Sequence, residues 1–443
     1  MRPPAKLAVA HRKRPSTAAG DTTIRTEVRV RGLILAPFAI LVALIALTPG
    51  ADLRDIGSDL PIYLDYGRRL LGGSVPYRDF ALEYPPFALV PMSLPVLAWP
   101  FGTPSFEPYA WLFTIGAGLL AVAAAWLVRM LNPDRPVGPL ATWLLLVVIA
   151  STSMAWRYDL WPAVLVLAGI AAAERGRPGL AGVALGVGAM MKIFPIVIVP
   201  VLAALYVARR DGPSLGRLVL GTAVATVPIL LVTLALAGGD ALHWLTYQLD
   251  RGLQIESVGA GALLLLHAAV GHPLSIVNAY SSVQVVSPGA DVIVAATPVV
   301  EALLVVAVGV LAFRRFRRDV ARTGETPARD LVTAAVAILV ALIVSSKVFS
   351  IQYVVWFLPL VPLLPVSQRW LVIATAAVSA VVYPLNYTHL WQLDPLMTVV
   401  LDVRNALLLI LLGWLCVSLA RDPRASERPS VHDVLPPMTH GTP

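Results

Sequence analysis

The chain has 443 residues, of which 58% are hydrophobic and only 14% are charged. A soluble globular protein carries about 25% charged residues, so this chain has too little charge to cover a water-facing surface. Its single cysteine, Cys416, excludes a disulfide framework and any zinc or iron–sulfur site built on several cysteines. The net charge of +8 lies in tails and short loops, where it orients a membrane protein, and it does not indicate nucleic-acid binding.

Long apolar runs dominate the sequence, for example Leu331–Ser346, Ala406–Ala420 and Ala295–Val310. They predict an all-α polytopic membrane protein with about 10 to 13 transmembrane or re-entrant helices. The 37 prolines and 31 glycines predict that many helices are broken or kinked. A bilayer tolerates such breaks where protein or a water-filled cavity lines them. Two stretches, 86–108 and 258–290, fit either a full span or a shorter segment.

The distribution of basic residues predicts the domain boundaries and the orientation in the membrane. Residues 1–31 are rich in Arg and Lys and predict a disordered cytoplasmic tail. Residues 32–420 form the membrane-embedded domain, and residues 421–443 form a second disordered cytoplasmic tail. The first span, near Leu33–Pro49, places the loop 51–84 on the outer side. We therefore expect a multi-pass plasma-membrane protein with both termini in the cytoplasm.

One stretch between two basic clusters, Gly179–Ala208, must cross the membrane an even number of times. About 30 residues are too few for two full spans of about 20 each. We therefore expect two short helices that meet at Lys192–Pro195, with Lys192 close to mid-membrane or to the outer side. Small residues on the first helix, Gly182 and Gly186 among them, predict close packing against a neighbouring helix.

The first outer loop combines acidic and aromatic residues. Tyr63, Tyr66 and Leu70 recur at helical spacing and predict a short amphipathic helix in the membrane interface. Ser58 is a candidate N-cap, which places Asp59 in the first turn, where the helix dipole favours a carboxylate. From the local sequence alone, Asp59 fits either a helix-capping role or a catalytic role.

Other ionisable and aromatic residues also fall on the outer side. They are Asp159 within Trp156–Asp159, Lys192, Arg251 with Glu256, Lys347 with Gln352 and Tyr353, and three tryptophans, Trp156, Trp356 and Trp391. Basic groups, carboxylates and aromatic rings on one aqueous side suit a ligand that carries a sugar and a phosphate. Structural roles remain open: Asp159 fits an ion pair with Arg157, the lysines fit snorkelling, and the tryptophans fit anchors in the aromatic belt.

Several short motifs on this side resemble one enzyme family. They are Gly-Gly-x-x-Pro-Tyr-x-Asp-Phe at 72–80, Glu-Tyr-Pro-Pro at 83–86, Met-Lys-Ile-Phe-Pro at 191–195, Asp-Arg-Gly-Leu-Gln-Ile-Glu-Ser at 250–257, and Ser-Lys-Val-Phe-Ser-Ile-Gln-Tyr at 346–353. Together, in this order and after an early Asp59, they resemble the type C membrane glycosyltransferases (GT-C fold) of glycosyltransferase family 87.

The resemblance implies transfer of a sugar, most often mannose, from a polyprenyl-phosphate donor to a glycolipid or polysaccharide acceptor at the outer face. It implies inversion at the anomeric carbon, with Asp59 as the general base. The candidate residues for binding donor phosphate and substrate are Lys192, Arg251, Lys347, Asp159, Glu256, Tyr63, Tyr84, Gln352 and Tyr353. We expect no metal site, no cofactor and no nucleic-acid partner; membrane lipids surround the domain.

A secondary transporter or lipid flippase is the main alternative, because polar residues in broken helices also line transport paths. The polar residues here gather on one side, whereas a transporter needs groups that are reachable from both sides. A non-catalytic scaffold is a further alternative.

Overall fold

The computed structural model describes residues 17–48 and 59–421, with side chains of the first helix described from residue 25. The α-helices in this part of the chain are α1 Thr17–Leu47, α2 Leu60–Leu71, α3 Leu89–Leu97, α4 Phe106–Leu131, α5 Val137–Ile149, α6 Ser151–Ala155, α7 Leu160–Glu174, α8 Pro178–Met191, α9 Ile198–Arg209, α10 Gly212–Ala237, α11 His243–Asp250, α12 Val258–Val270, α13 Ala290–Thr323, α14 Ala328–Ser345, α15 Val366–Ala380, α16 Tyr387–Trp391 and α17 Pro395–Ala420. Two strands, β1 Ser275–Ala279 and β2 Ser282–Val286, separate α12 from α13.

Seven helical segments of the described chain are long and apolar enough to cross a membrane. They are 25–47, 106–131, 212–250, 290–323, 328–345, 366–385 and 395–420. Shorter apolar helices fill the space between them. The protein is therefore an all-α polytopic membrane protein, as predicted. The two ambiguous stretches contain short helices, Pro86–Leu97 and Val258–Val270, which fall below the length of a full span.

The first helix begins earlier than predicted. Helix α1 starts at Thr17, so residues 17–31 are helical where the sequence suggested a disordered tail. Because no proline or glycine cluster separates residues 17–31 from the apolar run, the helix continues through both. The remaining tail residues, 1–16 and 422–443, lie outside the described residues, as does the candidate cap Ser58.

Helix α14 forms the centre of the bundle, because most of its residues are buried inside the protein. It packs against α9, α13 and α17. Its first turn contains Asp330, which pairs with Arg315 of α13 at 2.9 Å. The other end leads directly into Ser346 and Lys347. A helix of 18 residues is about 27 Å long, so the Arg315 pair and Lys347 lie at opposite ends of the bundle.

The predicted pair of short helices around Lys192 is confirmed. Helix α8 ends at Met191, Lys192 is extended, and a 3₁₀ turn at Phe194–Val197 leads into α9. The close packing is also confirmed, because a Cβ on Gly182 would collide with the Leu218 carbonyl oxygen of α10. A Cβ on Gly186 would lie 2.8 Å from the Ala225 Cβ.

The hairpin of β1 and β2 was not predicted. Its strands pair antiparallel with Ala279 opposite Ser282. The segment before α12 pairs with it, because Ile255 N donates to Val283 O at 3.0 Å and Val285 N donates to Leu253 O at 2.8 Å. The hairpin therefore fixes residues 251–257, which carry two predicted site residues.

Candidate active site

A cavity of about 1270 Å³ opens where the first loop, the Lys192 tip, the 251–257 segment and the chain after α14 converge. Its lining includes eight of the ten predicted site residues: Asp59, Tyr84, Lys192, Arg251, Glu256, Lys347, Gln352 and Tyr353. Tyr63 and Asp159 are the other two, and both lie behind the wall with at most 1% of their surface exposed. Neither side chain lines the cavity, so direct contact of Tyr63 or Asp159 with a substrate remains a prediction.

Asp59 is the N-cap residue of α2, and the predicted position in the first turn is wrong by one residue. Its carboxylate makes no capping hydrogen bond. Instead Asp59 Oδ2 forms an ion pair with Arg157 Nη1 and accepts a hydrogen bond from the Tyr63 hydroxyl at 3.1 Å. The structure therefore disfavours the capping role for Asp59 and presents its carboxylate to the cavity, 23% exposed.

Arg157 is the partner of Asp59 and was not among the predicted site residues. Its side chain is 10% exposed, and its guanidinium lies 5.9 Å from the Tyr383 ring centroid. Arg157 pairs with Asp59 and Asp159 pairs with Lys192, so the structure does not support the alternative in which Asp159 pairs with Arg157. One residue, Tyr158, stands between them in the short segment before α7, and the two side chains have different partners. The sequence Trp-Arg-Tyr-Asp at 156–159, which combines aromatic and charged residues, could have identified Arg157 as a site residue.

Asp159 holds Lys192. Lys192 Nζ lies 2.7 Å from Asp159 Oδ1, and the indole Nε1 of Trp356 donates to the same oxygen at 2.6 Å. The ammonium group lies 5.1, 5.0 and 5.6 Å from the ring centroids of Tyr158, Tyr353 and Trp356. These distances are within the range of cation–π contacts. Lys192 is thus a fixed cation in the cavity wall, enclosed by aromatic rings.

Two of the predicted tryptophan anchors are buried. Trp156 is 2% exposed and Trp356 is 6% exposed, whereas Trp391 is 42% exposed. Trp356 stacks on Phe194 at 4.4 Å, so it joins the Lys192 tip to the turn that follows α14. Trp156 and Trp356 pack inside the protein, so the interpretation as anchors in the aromatic belt is wrong for both.

Glu256 is buried in the cavity wall and accepts three hydrogen bonds. The donors are Ile351 N at 3.1 Å, the Tyr387 hydroxyl at 3.2 Å and Gln254 Nε2 at 3.2 Å. Burial raises the pKa of Glu256 above its ordinary value, and nearby Arg404 opposes this rise. The carboxylate therefore ties the 251–257 segment to the turn after α14 and to α16.

Two further cations lie near each other beside this segment. Arg251 Nη1 donates to Gln248 Oε1 at 3.3 Å, and Lys347 Nζ donates to Leu249 O at 2.6 Å. The pKa of Lys347 is lowered, mainly by burial and further by the charge of Arg251. Both side chains reach the cavity, and Gln254 N donates to Lys347 O at 3.0 Å. The structure thus brings together a carboxylate and three cations from distant parts of the chain.

Among the described residues, no group of three His, Cys, Asp or Glu side chains is placed to hold a metal ion. The expectation of activity without a divalent ion remains a prediction.

The fold and the cavity define a class: a multi-pass α-helical membrane protein with an internal site that combines carboxylates, Asp59 among them, with fixed cations and aromatic rings. The model of glycosyltransferase family 87 matches residues 82–346, which is more than half of the chain. The chain belongs to this family. The match contains Arg157, Asp159, Lys192, Arg251 and Glu256, and it ends just before Lys347.

A curated relative is GPI mannosyltransferase 1 from Aspergillus fumigatus, 29% identical over 177 residues. The aligned region covers 38% of this chain and 39% of the relative. The chain therefore matches well under half the length of this relative.

Proposed function

We propose that this protein transfers a mannosyl residue from a polyprenyl-phosphate donor to a glycolipid or polysaccharide acceptor, with inversion. The observation that carries the proposal is the shared cavity of Asp59, Lys192, Arg251 and Lys347. Membership of glycosyltransferase family 87 supports sugar transfer, and the name of the fungal relative supports mannose. Residues of the apolar helix α13, such as Val294 and Val305, line part of the cavity, which supports a donor that arrives from the membrane.

The reaction requires one proton acceptor. The acceptor hydroxyl oxygen attacks the anomeric carbon, its proton passes to the Asp59 carboxylate, and the bond between this carbon and the phosphate oxygen breaks. The electron pair of that bond leaves with the polyprenyl phosphate. Both contacts described for Asp59 fall on Oδ2, so we assign Oδ1 to the acceptor proton. Arg157 and Tyr63 hold the carboxylate in position.

The leaving group is already an anion, and it needs positive charge more than it needs a proton. Lys192 is the first candidate because it is fixed by Asp159 and faces the cavity. Arg251 and Lys347 extend the positive charge along the wall. Glu256 is buried and orients Arg404 and the 251–257 segment; Arg404 Nη2 donates to Glu256 O at 2.7 Å.

The proposed orientation follows the distribution of basic residues. The Arg-rich end of α13, where Arg315 lies, faces the cytoplasm together with both termini, and the cavity faces the outer side of the plasma membrane. Lys347 and Arg315 lie at opposite ends of α14, which supports this assignment.

The direct test is Asp59→Asn in membranes supplied with radiolabelled polyprenyl-phosphate mannose. We expect transfer to fall by at least about a hundredfold, the usual scale for loss of a general base. Asp65→Asn is the matched control, because Asp65 lies on the same helix, is exposed and pairs only with Arg69 among its described contacts. Wild-type turnover in Asp59→Asn overturns the assignment. A wild-type protein that moves the lipid across the membrane without forming a glycosidic bond supports the flippase alternative.

A further inference from the structure

The cavity has a second polar region at the tip of the β-hairpin. Asn278, Tyr280, Ser281 and Ser282 line it from one side, and Glu83 of the first loop lines it from another. The residues of this tip, 278–282, include amide, hydroxyl and aromatic groups and no basic residue. The chemistry of this region therefore differs from that of the Lys192, Arg251 and Lys347 wall.

The turn at this tip is strained. Tyr280 has φ 51° and Ser281 has φ 50°, both in the left-handed region that favours glycine. Two-residue hairpin turns of this type strongly prefer Asn-Gly or Gly-Gly. Strained backbone of this kind is concentrated at ligand sites, where the surrounding structure holds it in place. This turn places Tyr280 in the lining of the cavity, where its side chain is 42% exposed.

The hairpin tip is a supported platform. The ring of Tyr247 on α11 meets Tyr280 edge-on, with centroids 5.4 Å apart and an interplanar angle of 77°. Tyr247 also interacts with Glu83 and with Ser281. Behind the tip, Gln284 Oε1 accepts a hydrogen bond from Gly252 N at 3.2 Å. The tip is therefore held in register with Arg251, and Tyr280, which is 42% exposed, lines the cavity beside it.

We propose that the hairpin tip binds a sugar ring of the acceptor, an uncharged hexopyranoside, by stacking on Tyr280. Asn278 and Glu83 then hydrogen-bond to the sugar hydroxyls. An aromatic face combined with a few convergent polar groups is the usual composition of a site for a neutral polar ligand. The assignment to the acceptor rests on the proposed function, because the cationic wall is taken by the donor phosphate.

The test uses purified protein in lipid nanodiscs, since alkyl maltoside detergents carry a sugar headgroup that competes for the site. Octyl α-mannoside serves as the acceptor probe and polyprenyl-phosphate mannose as the donor. Tyr280→Ala should raise the KM for octyl α-mannoside by about fivefold to tenfold and leave the donor KM unchanged. Tyr280→Phe keeps the ring and should retain the wild-type KM. Val277→Ala, on strand β1 of the same hairpin but outside the cavity lining, controls for the integrity of the hairpin.

A binding measurement separates this proposal from the proposed function. Saturation-transfer NMR with methyl α-mannoside needs no donor and no turnover; empty nanodiscs provide the blank. The signal should be lost in Tyr280→Ala and weakened in Asn278→Ala, a second variant in case the first does not fold, and it should persist in Asp59→Asn. An unchanged signal in folded Tyr280→Ala, or a change in donor KM alone, overturns the acceptor subsite. Full turnover in Asp59→Asn overturns only the catalytic assignment.

Discussion

Lys192 Nζ lies 2.7 Å from Asp159 Oδ1, although 33 positions separate these residues in the chain. The contact joins the tip between α8 and α9 to the segment that precedes α7, and Trp356 adds a hydrogen bond from the turn after α14. Three separate parts of the bundle therefore fix one ammonium group, whose side chain is 13% exposed. A cation held in this way needs little reorganisation to receive a phosphate.

The first prediction concerns this lysine. Lys192→Ala should raise the KM for polyprenyl-phosphate mannose by about tenfold to a hundredfold, because a hydrogen bond to a charged group contributes about 1.5–3 kcal/mol. Initial rates at varied donor concentration give this value. Lys192→Arg keeps the charge and should lose less. Arg69→Ala, which removes an exposed cation on α2, is the control. A donor KM unchanged in Lys192→Ala contradicts the phosphate role.

The second prediction concerns the ion pair of Asp59 and Arg157. Removing one partner of a largely buried ion pair leaves an uncompensated charge, which lowers the free energy of unfolding by about 3 kcal/mol or more. Arg157→Met and Asp59→Asn should each lower the melting temperature of the purified protein. The double variant should lose less free energy of unfolding than the two single variants lose together, by about 1–3 kcal/mol. Additive losses in this double-mutant cycle would show that the pair contributes no coupling energy.

The activity of these variants separates positioning from folding. Arg157→Met should lower kcat more than it raises the donor KM, because the ion pair of Arg157 with Asp59 orients the proposed base. Arg157→Lys restores the charge but not the planar geometry and should recover only part of kcat. A donor KM that rises while kcat stays constant points instead to Arg157 as a phosphate ligand.

The sequence predicted those parts of the fold that depend on hydrophobicity and charge. The apolar runs predicted the helical membrane domain. The break at Lys192 was predicted because a segment between two basic clusters on one side must cross the membrane an even number of times. Both arguments use the cost of placing charge and unpaired backbone in a bilayer, which is large and independent of tertiary detail.

The pairing of side chains could not be predicted in the same way. Arg157 and Asp159 are neighbours in sequence, yet Arg157 pairs with Asp59 and Asp159 pairs with Lys192. Partner choice depends on where distant helices place their ends, and the local sequence does not contain that information. The hairpin was missed for a related reason: Tyr280-Ser281 lacks the glycine or asparagine that normally identifies such a turn.

The third prediction concerns pH. Because burial and the charge of Arg251 lower the pKa of Lys347, this side chain loses its proton at a lower pH than a free lysine does. Lys347 is charged below that pKa and neutral above it, so the donor KM should rise as pH increases through the lowered value. Lys347→Arg stays charged across this range and should flatten the rise. Identical pH profiles for the wild type and Lys347→Arg contradict a role for Lys347 in donor binding.

The fourth prediction concerns the packing that places Lys192 in the cavity. A Cβ on Gly182 would meet the Leu218 carbonyl oxygen and would lie 2.8 Å from Thr222 N, both backbone atoms of α10 that cannot rotate away. Gly182→Ala should therefore force α8 away from α10, lower the melting temperature and weaken donor binding through the displaced Lys192. Overpacking of this kind costs about 1–3 kcal/mol. Gly216→Ala is the matched control, because Gly216 also lies on this pair of helices and its Cβ would meet nothing within 4 Å. Equal melting temperatures for the two variants would mean that α8 and α10 do not make this close contact.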